Sequence, residues 1–348
     1  MQRWEKYLTR EYSFLYLSYS SDCYPLMRDK VGTTINFDLA HGKGALVSLY
    51  GLDADFQNCY DEINEILSKD EKIVVKMMSD FEKFTSQYYS LVEQINRETS
   101  KTKLKQFLLK LDSVFVEILC RYLFFVYLGY GGDKPFIKKF LEKYAQQFEK
   151  VRNCGIDAHM DKQFPKLFGK YNKLFVSYLR LFSRGELLRM LNDESIDLKR
   201  IKQRATEYLL LTKHGETKEY YSNEIQVILD KELPKPENAL VKSELHGRIA
   251  NKGTAIGTAV VVLTEKDYSK ILPGAILVTP MTKPSIVSFL SKVKAIVTDD
   301  GGALCHASII SRELNLPCIV GTKRATEIFK DGDLLEVDAV NGIVRKIS

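Results

Sequence analysis

The stretch Gly301-Gly302-Ala303-Leu304-Cys305-His306-Ala307-Ser308-Ile309-Ile310-Ser311-Arg312 decides how the rest of the chain is read. It runs on through Glu313-Leu314-Asn315-Leu316-Pro317 to Cys318-Ile319-Val320-Gly321-Thr322. Just before it, Ala295-Ile296-Val297-Thr298-Asp299-Asp300 is a β-branched apolar run ending in polar residues, as a buried strand does where it enters a turn. The glycine pair supplies that turn. Over 307–314, Ile309, Ile310 and Leu314 share one side at helical spacing, and Asn315 followed by Pro317 stops the helix. His306 therefore stands where a glycine loop meets a helix N-terminus. Free N–H groups and the helix dipole favour an anion there by about 0.3–2 kcal/mol. A histidine at such a place, with an ordinary pKa of about 6.5, keeps a large neutral fraction near neutral pH and can attack phosphorus through a ring nitrogen. The local pattern alone fits a loop-capping histidine of an ordinary α/β domain equally well.

The same residues resemble the phosphohistidine signature of the phosphoenolpyruvate-utilising enzymes, a family that includes pyruvate phosphate dikinase, phosphoenolpyruvate synthase and rifampin phosphotransferase. The likeness continues through Arg312-Glu313-Leu314, Pro317 to Gly321-Thr322, Ala325-Thr326, and Asp331-Gly332-Asp333 to Val337-Asp338 and Gly342. Upstream, Leu245-His246-Gly247, Gly253, Gly257 and Pro273-Gly274-Ala275-Ile276-Leu277-Val278 fit the start of that domain. The resemblance implies a compact swivelling β/β/α phosphohistidine domain over 244–348. It also implies His306 as the catalytic residue and Gly301, Gly302, Cys305, Ala307 and Arg312 as the phosphate-binding set, without a metal. Arg312 lies nearly two helical turns beyond His306, which puts pairing with the domain's own carboxylates slightly ahead of a phosphate contact. Leu304 departs from the dikinase and synthase pattern, which usually has a threonine there, although an aliphatic residue is similar to the rifampin-phosphotransferase branch; an aliphatic side chain neither donates a hydrogen bond to a phosphoryl oxygen nor accepts a phosphate. Cys305 reads as a small packing residue or weak donor beside the nucleophile.

The 348 residues suffice for about two domains with their own cores. A hydrophobic fraction of 45% and a charged fraction of 28% are ordinary for a globular protein. A net charge of +6, without a dense Lys/Arg block interleaved with aromatics, gives no nucleic-acid footprint. The six cysteines, at 23, 59, 120, 154, 305 and 318, form no Cys-x-x-Cys pair, so neither a zinc site nor a disulfide framework is indicated. The N-terminal residues lack an apolar leader core. The most apolar stretch, Val114 to Leu128, is broken by Glu117 and Arg121 and falls short of the roughly 20 apolar residues that span a bilayer. A cytoplasmic location with no membrane partner is expected.

Aromatic residues mark a boundary. Of 19 Tyr, 18 Phe and 1 Trp, only Tyr268, Phe289 and Phe329 lie beyond residue 236. The composition changes at Lys231-Glu232-Leu233-Pro234-Lys235-Pro236-Glu237-Asn238, which reads as part of a linker over 233–243. The fold class expected is thus multi-domain α + α/β: a mainly helical domain over 1–232, then the phosphohistidine domain. Short strands are expected at 33–37 and 45–50, on either side of His41-Gly42-Lys43-Gly44, which reads as a hairpin turn rather than a phosphate loop because the Walker spacing is absent. Apolar residues three and four apart predict helices over 55–68, 71–94, 103–128, 134–148, 162–182 and 196–211. His159, His214 and His246 read as surface or packing histidines. In the C-terminal part, strands at 247–250, 255–263, 275–278, 295–297, 317–320, 334–337 and 343–346 alternate with helices at 283–292, 307–314 and 323–329.

Trp4 with Thr9-Arg10, and Leu181-Phe182-Ser183-Arg184-Gly185-Glu186-Leu187 with Lys202, Arg204 and Tyr208, resemble the helical segment preceding the phosphohistidine domain in rifampin phosphotransferase and related synthases. That segment holds the acceptor in the relatives, which implies a pocket for an apolar or ring-bearing small molecule. Core packing accounts for the same aromatics. In the family an ATP-grasp domain charges the histidine, and several members add a pyruvate barrel. Neither pattern is found between Met1 and Ser348, so a separate ATP-grasp protein bringing Mg-ATP is the expected partner, with no permanently bound cofactor. Three readings stand: a phosphotransferase subunit whose helical domain binds the acceptor, a phosphocarrier relay without small-molecule binding, and a non-catalytic module that keeps the fold.

Overall fold

The computed structural model describes residues 4–44, 46–152, 154–233, 244–302 and 305–347. Of the expected linker over 233–243, residues 234–243 lie outside the described residues, as does Leu304. Contacts divide the chain into two units, one made of Met1–Glu5 with Tyr12–Leu233, the other of Lys6–Glu11 with Pro234–Ser348. The inclusion of Lys6–Glu11 in the second unit was not anticipated from the sequence.

In chain order the first part holds β1 (Trp4–Glu11), α1 (Phe14–Val31), β2 (Phe37–Lys43), β3 (Leu46–Leu52), α2 (Asp53–Lys69), α3 (Glu71–Arg97), α4 (Lys101–Tyr130), α5 (Pro135–Lys143), α6 (Ala145–Arg152), α7 (Ile156–Tyr171), α8 (Arg184–Leu191), α9 (Leu198–Arg204), β4 (Glu207–Lys213), β5 (Glu216–Tyr220) and α10 (Asn223–Glu232). Ser13 caps α1 by accepting from Tyr16 N–H, and Gly32 ends it at φ 81°, a left-handed conformation natural to glycine. The apolar run of α4 is a core helix: Leu108, Leu111, Phe115, Ile118, Leu119, Phe124, Phe125 and Leu128 are all fully buried. Much of the aromatic content goes the same way, with Phe14, Tyr19, Tyr88, Phe140, Phe164, Phe168 and Phe182 sealed from solvent. An open cavity of about 300 Å³ in this unit is instead polar, lined by Arg28, Asn36, Asn58, Asp61, Glu62 and Glu65 among others.

Four sequence expectations are corrected here. The helix expected over 196–211 ends at Arg204, and the leucine run that follows is β4, paired antiparallel with β2 and β5. His214 at φ 50° and Gly215 at φ 82° make the two-residue turn between Lys213 and Glu216, a twist-matched hairpin that overrides the ambiguous apolar run. His41 and Gly42 belong to strand β2, and the turn comes after Lys43, which pairs with Leu46. A Cβ on Gly42 would lie 2.1 Å from the Tyr208 ring, so the glycine there makes room for an aromatic rather than a turn. The helix expected over 162–182 starts earlier, at Ile156, and stops at Asn172, whose side chain accepts from Leu174 N–H and opens two 3₁₀ turns. The helix expected over 134–148 is two helices parting at Tyr144. Trp4 to Tyr24 form β1 and most of α1.

The Leu181–Leu187 motif has a structural account. Ser183 and Glu186 form a reciprocal capping box at the start of α8. Glu186 also takes Arg204, whose side chain is 0% exposed, at 2.5 Å, and Arg204 reaches Glu219 at 2.8 Å, the Leu181 carbonyl at 2.8 Å and the Phe14 ring at 3.9 Å. Arg184 binds Asp112 through two 2.8 Å hydrogen bonds, and Tyr19 Oη donates to the same carboxylate at 2.7 Å. These charges are buried only because each is matched, so removing one leaves its partners uncompensated. Arg204→Ala is expected to cost about 3–5 kcal/mol of stability in urea unfolding; a loss below about 1 kcal/mol would show that the network is not what holds α8, α9 and β5 together.

The second unit holds β6 (Glu244–His246), β7 (Arg248–Asn251), β8 (Thr254–Val261), β9 (Ala275–Thr279), β10 (Val293–Thr298), α11 (His306–Glu313), β11 (Cys318–Val320), α12 (Ala325–Ile328), β12 (Leu334–Asp338) and β13 (Ile343–Lys346), with 3₁₀ turns at Glu265–Lys270 and Pro284–Lys292. One sheet runs β6-β13-β12-β8-β9-β10-β11-β7, parallel from β8 to β11 and antiparallel outside. Successive residues alternate between its two faces. Leu277, Ile296 and Val320 pack with Ala307 and Ile310 of α11, whereas Ile276, Val297 and Ile319 pack with Phe329, Leu335 and Val337. The sequence expectation of a mainly helical part followed by a compact sheet-based α/β unit matches these elements.

Candidate functional site

The parallel strands β9, β10 and β11 end side by side, and the chain leaves each through a short turn at their carboxyl edge, where α/β sheets bind ligands. Main-chain hydrogen bonds lace the three turns together. Asp299 N–H donates to Thr279 O at 3.1 Å, Asp300 N–H to Pro280 O at 2.9 Å, Thr322 N–H to Thr298 O at 3.1 Å and Lys323 N–H to Asp299 O at 2.8 Å. The Asp299 carboxylate accepts from the N–H and hydroxyl of Thr326, which fixes the base of the turn.

Gly301 follows at φ 125°, and a Cβ there would meet Cys305 Sγ at 2.8 Å. Gly321, at φ 72°, brings its backbone so close that a Cβ would sit 3.1 Å from Gly301 O. The Gly302 carbonyl then accepts from Cys305 N–H at 3.1 Å and from the buried Ser308 hydroxyl at 2.7 Å, which ties the glycine turn to the first turn of α11. Cys305 is the N-cap residue, with Sγ 3.2 Å from Ser308 Oγ. The first intrahelical bond of α11 runs from Ile309 N–H to Cys305 O, and the N–H groups just before it, at the positive end of the helix, have no hydrogen-bond partner among the described residues.

His306 opens α11 and is half-buried, and its Nδ1 lies 2.7 Å from the Oγ1 of Thr282, a residue 3% exposed in the turn after β9. Burial holds its pKa below the ordinary imidazole value, with the Glu313 charge opposing in part, so the neutral ring is favoured. When Nδ1 carries the proton and donates it to Thr282 Oγ1, Nε2 keeps an unshared pair. Of the expected site residues, Gly301, Gly302 and Cys305 are gathered around the start of α11 beside His306. The Ala307 methyl faces the core at 2% exposure, leaving that residue its backbone N–H for a ligand. Arg312 lies exposed in the last turn of the helix, about 1.5 Å per residue further on. Among the described residues no group of three or more His, Cys, Asp or Glu side chains could hold a metal ion.

Thr282, Ser308 and Asp300 were missed from the sequence. Thr282 is distant in the chain and arrives only because β9 lies parallel beside β10. Asp300 is largely buried, accepts from Thr9 N–H at 3.2 Å, and has its pKa pushed up to about 7 by burial, with the neighbouring Asp299 charge adding to the rise. Lys6 and Arg10 oppose that rise. Because the folded value exceeds that of an unfolded carboxyl, the stability it contributes is present at acid pH and is lost as pH rises through about 7. Asp300→Asn, which keeps the acceptor, is expected to raise stability at pH 8 by on the order of 1 kcal/mol and to change nothing at pH 4. Urea unfolding at the two pH values measures this, and an equal effect at both would exclude titration of Asp300 as the cause.

Residues 271–342 match the family model described as PEP-utilising enzyme, mobile domain. A probable phosphoenolpyruvate synthase of Archaeoglobus fulgidus is 49% identical over 108 residues, 31% of this chain and 14% of that protein. The phosphoenolpyruvate synthase of Pyrococcus furiosus is 45% identical over 102 residues, 29% of this chain and 12% of its own length. An uncharacterized phosphotransferase, YvkC, of Bacillus subtilis is 38% identical over 107 residues, 31% of this chain and 13% of its own. The matched stretch is thus a small part of each curated relative. A solution structure of Enzyme I (nEIt) matches over 80% of this chain and 80% of its own at 17% identity with a TM-score of 0.21, too low to carry an argument. What the chain shares with these proteins is thus the pattern of a PEP-utilising enzyme mobile domain, matched over residues 271–342. Among the described residues no helix is long and apolar enough to cross a membrane.

Proposed function

We propose that this chain is a phosphotransferase component that carries a phosphoryl group on His306. The observation that supports this most is the pairing of His306 Nδ1 with Thr282 Oγ1 at 2.7 Å on a helix N-terminus that faces a glycine turn. The pairing orients the ring and leaves Nε2 as the nucleophile. In the charging step Nε2 gives its electron pair to the γ-phosphorus of a nucleotide, the bond from phosphorus to the bridging oxygen breaks, and the electrons leave with the diphosphate. The product is an imidazolium phosphoramidate whose Nδ1 keeps its proton and donates it in a hydrogen bond to Thr282 Oγ1. Its positive ring is a good leaving group, so onward transfer to an acceptor regenerates the neutral imidazole. The backbone N–H groups at the start of α11 and the Gly301-Gly302 turn supply dipoles to the phosphoryl oxygens.

The donor we propose is Mg-ATP presented by a separate ATP-grasp protein. Between the two acceptor readings, a relay to a further protein is favoured over an apolar small molecule, because the aromatic residues that would line an apolar pocket are packed in the core and the cavity near Arg28 and Glu62 is polar. Any small acceptor bound by that cavity is hydrophilic.

Intact-mass analysis after incubation with Mg-ATP and an ATP-grasp partner is expected to show one acid-labile phosphoryl adduct, absent from His306→Ala. Thr282→Val is expected to slow its formation roughly tenfold, through loss of ring orientation, with Thr282→Ser close to the parent. A stable adduct in His306→Ala would overturn the assignment.

A further inference from the structure

Arg248 lies on β7, the edge strand of the sheet, and its register pairs it with Val320, the last residue of β11 before Gly321. The preceding Gly247 lets β7 lie close against β11, since a Cβ there would meet Ile319 Cγ2 at 2.5 Å and Val320 O at 2.8 Å. The Arg248 backbone is thereby fixed next to the glycine turn. Its guanidinium reaches that turn: a Cβ added to Gly302 would lie 3.9 Å from Arg248 Nη1. Gly302 is the residue whose carbonyl holds Cys305 and Ser308, so the cation stands beside the turn that delivers His306.

Other arginines of this unit are occupied, Arg324 by Glu327 at 3.0 Å and Arg345 by Glu336 at 2.6 Å. Arg248 is exposed and has no hydrogen-bond or ion-pair partner among the described residues. An unmatched guanidinium fork at a glycine turn, on the same side as a helix N-terminus, has the geometry to meet the oxygens of a tetrahedral dianion.

We propose that Arg248 is a phosphoryl-binding residue of this site, pairing with the phosphoryl oxygens while the group is carried by His306. The proposal rests on His306 being the carrier. Arg248 stands outside the 271–342 stretch that matches the family model. Its charge lowers the repulsion that a phosphoryl dianion meets on approaching Nε2. It therefore accelerates charging without touching the ring.

The test needs no partner protein. Potassium phosphoramidate phosphorylates accessible imidazoles: Nε2 bonds to phosphorus, the reagent's phosphorus–nitrogen bond breaks, and ammonia departs with the electron pair. The full chain, His306→Ala, Arg248→Ala, Arg248→Gln and Arg248→Lys are followed by intact mass and by ³¹P NMR, with thermal unfolding as a check on folding. Arg248→Ala and Arg248→Gln are expected to charge about tenfold more slowly, less than the roughly 10²–10³-fold effect of a buried donor because Arg248 is solvent-exposed. Arg248→Lys is expected to recover most of the rate. Added salt should slow the parent and leave Arg248→Ala unaffected. Parent-like charging of Arg248→Ala, or a rate in Arg248→Lys as low as in Arg248→Ala, overturns the role of Arg248 and leaves His306 in place. A parent chain that acquires no phosphoryl group on His306 overturns the carrier reading as well.

Discussion

The close approach of two backbones, at Gly301 and Gly321, is the constraint on which the site depends. The turn after β10 and the turn after β11 can lie in contact only where neither carries a side chain toward the other, and a Cβ on Gly321 would already press on Gly301 O at 3.1 Å. That contact lets Thr322 and Lys323 bond back to Thr298 and Asp299. It also aims the chain so that α11 starts over the carboxyl end of the sheet. The proposed phosphoryl chemistry draws on groups that have no partner among the described residues: N–H groups at a helix start and a ring nitrogen opposite a bonded one.

The first unit solves a different problem. Arg204, fully buried, is matched by Glu186 and Glu219 and covered by the Phe14 ring. Asp112 is matched by Arg184 and Tyr19 in the same way. Burying such charges is costly unless every partner is present, so the network specifies one arrangement of α1, α4, α8, α9 and β5 more than it adds net stability. The residues that make the Leu181–Leu187 motif conspicuous in the sequence are therefore accounted for by folding. No acceptor contact is needed to explain them.

The sequence carried the second unit well because its signals are local. Short β-branched runs between glycines have few alternatives, and the strand–glycine–helix pattern around His306 positions its own residues. What it did not carry came from distance or ambiguity. Thr282 and Arg248 approach the turn through parallel pairing of β9 with β10 and antiparallel pairing of β7 with β11, and neither pairing is written in the spacing of nearby residues. Tyr208-Leu209-Leu210-Leu211 fits a helix as well as a strand until His214 and Gly215 close a hairpin behind it. Gly42 read as a turn residue because its other use, making room for Tyr208, depends on a partner far along the chain.

The most direct measurement is the tautomer of His306 in the uncharged protein at neutral pH, read from the ¹⁵N shifts of its ring nitrogens with Thr282→Val alongside. A neutral ring protonated on Nδ1, with an unprotonated Nε2 and with that preference lost in Thr282→Val, is the result this account predicts. A ring protonated on Nε2, or an imidazolium at that pH, would contradict it, because the nitrogen meant to attack phosphorus would then carry a proton.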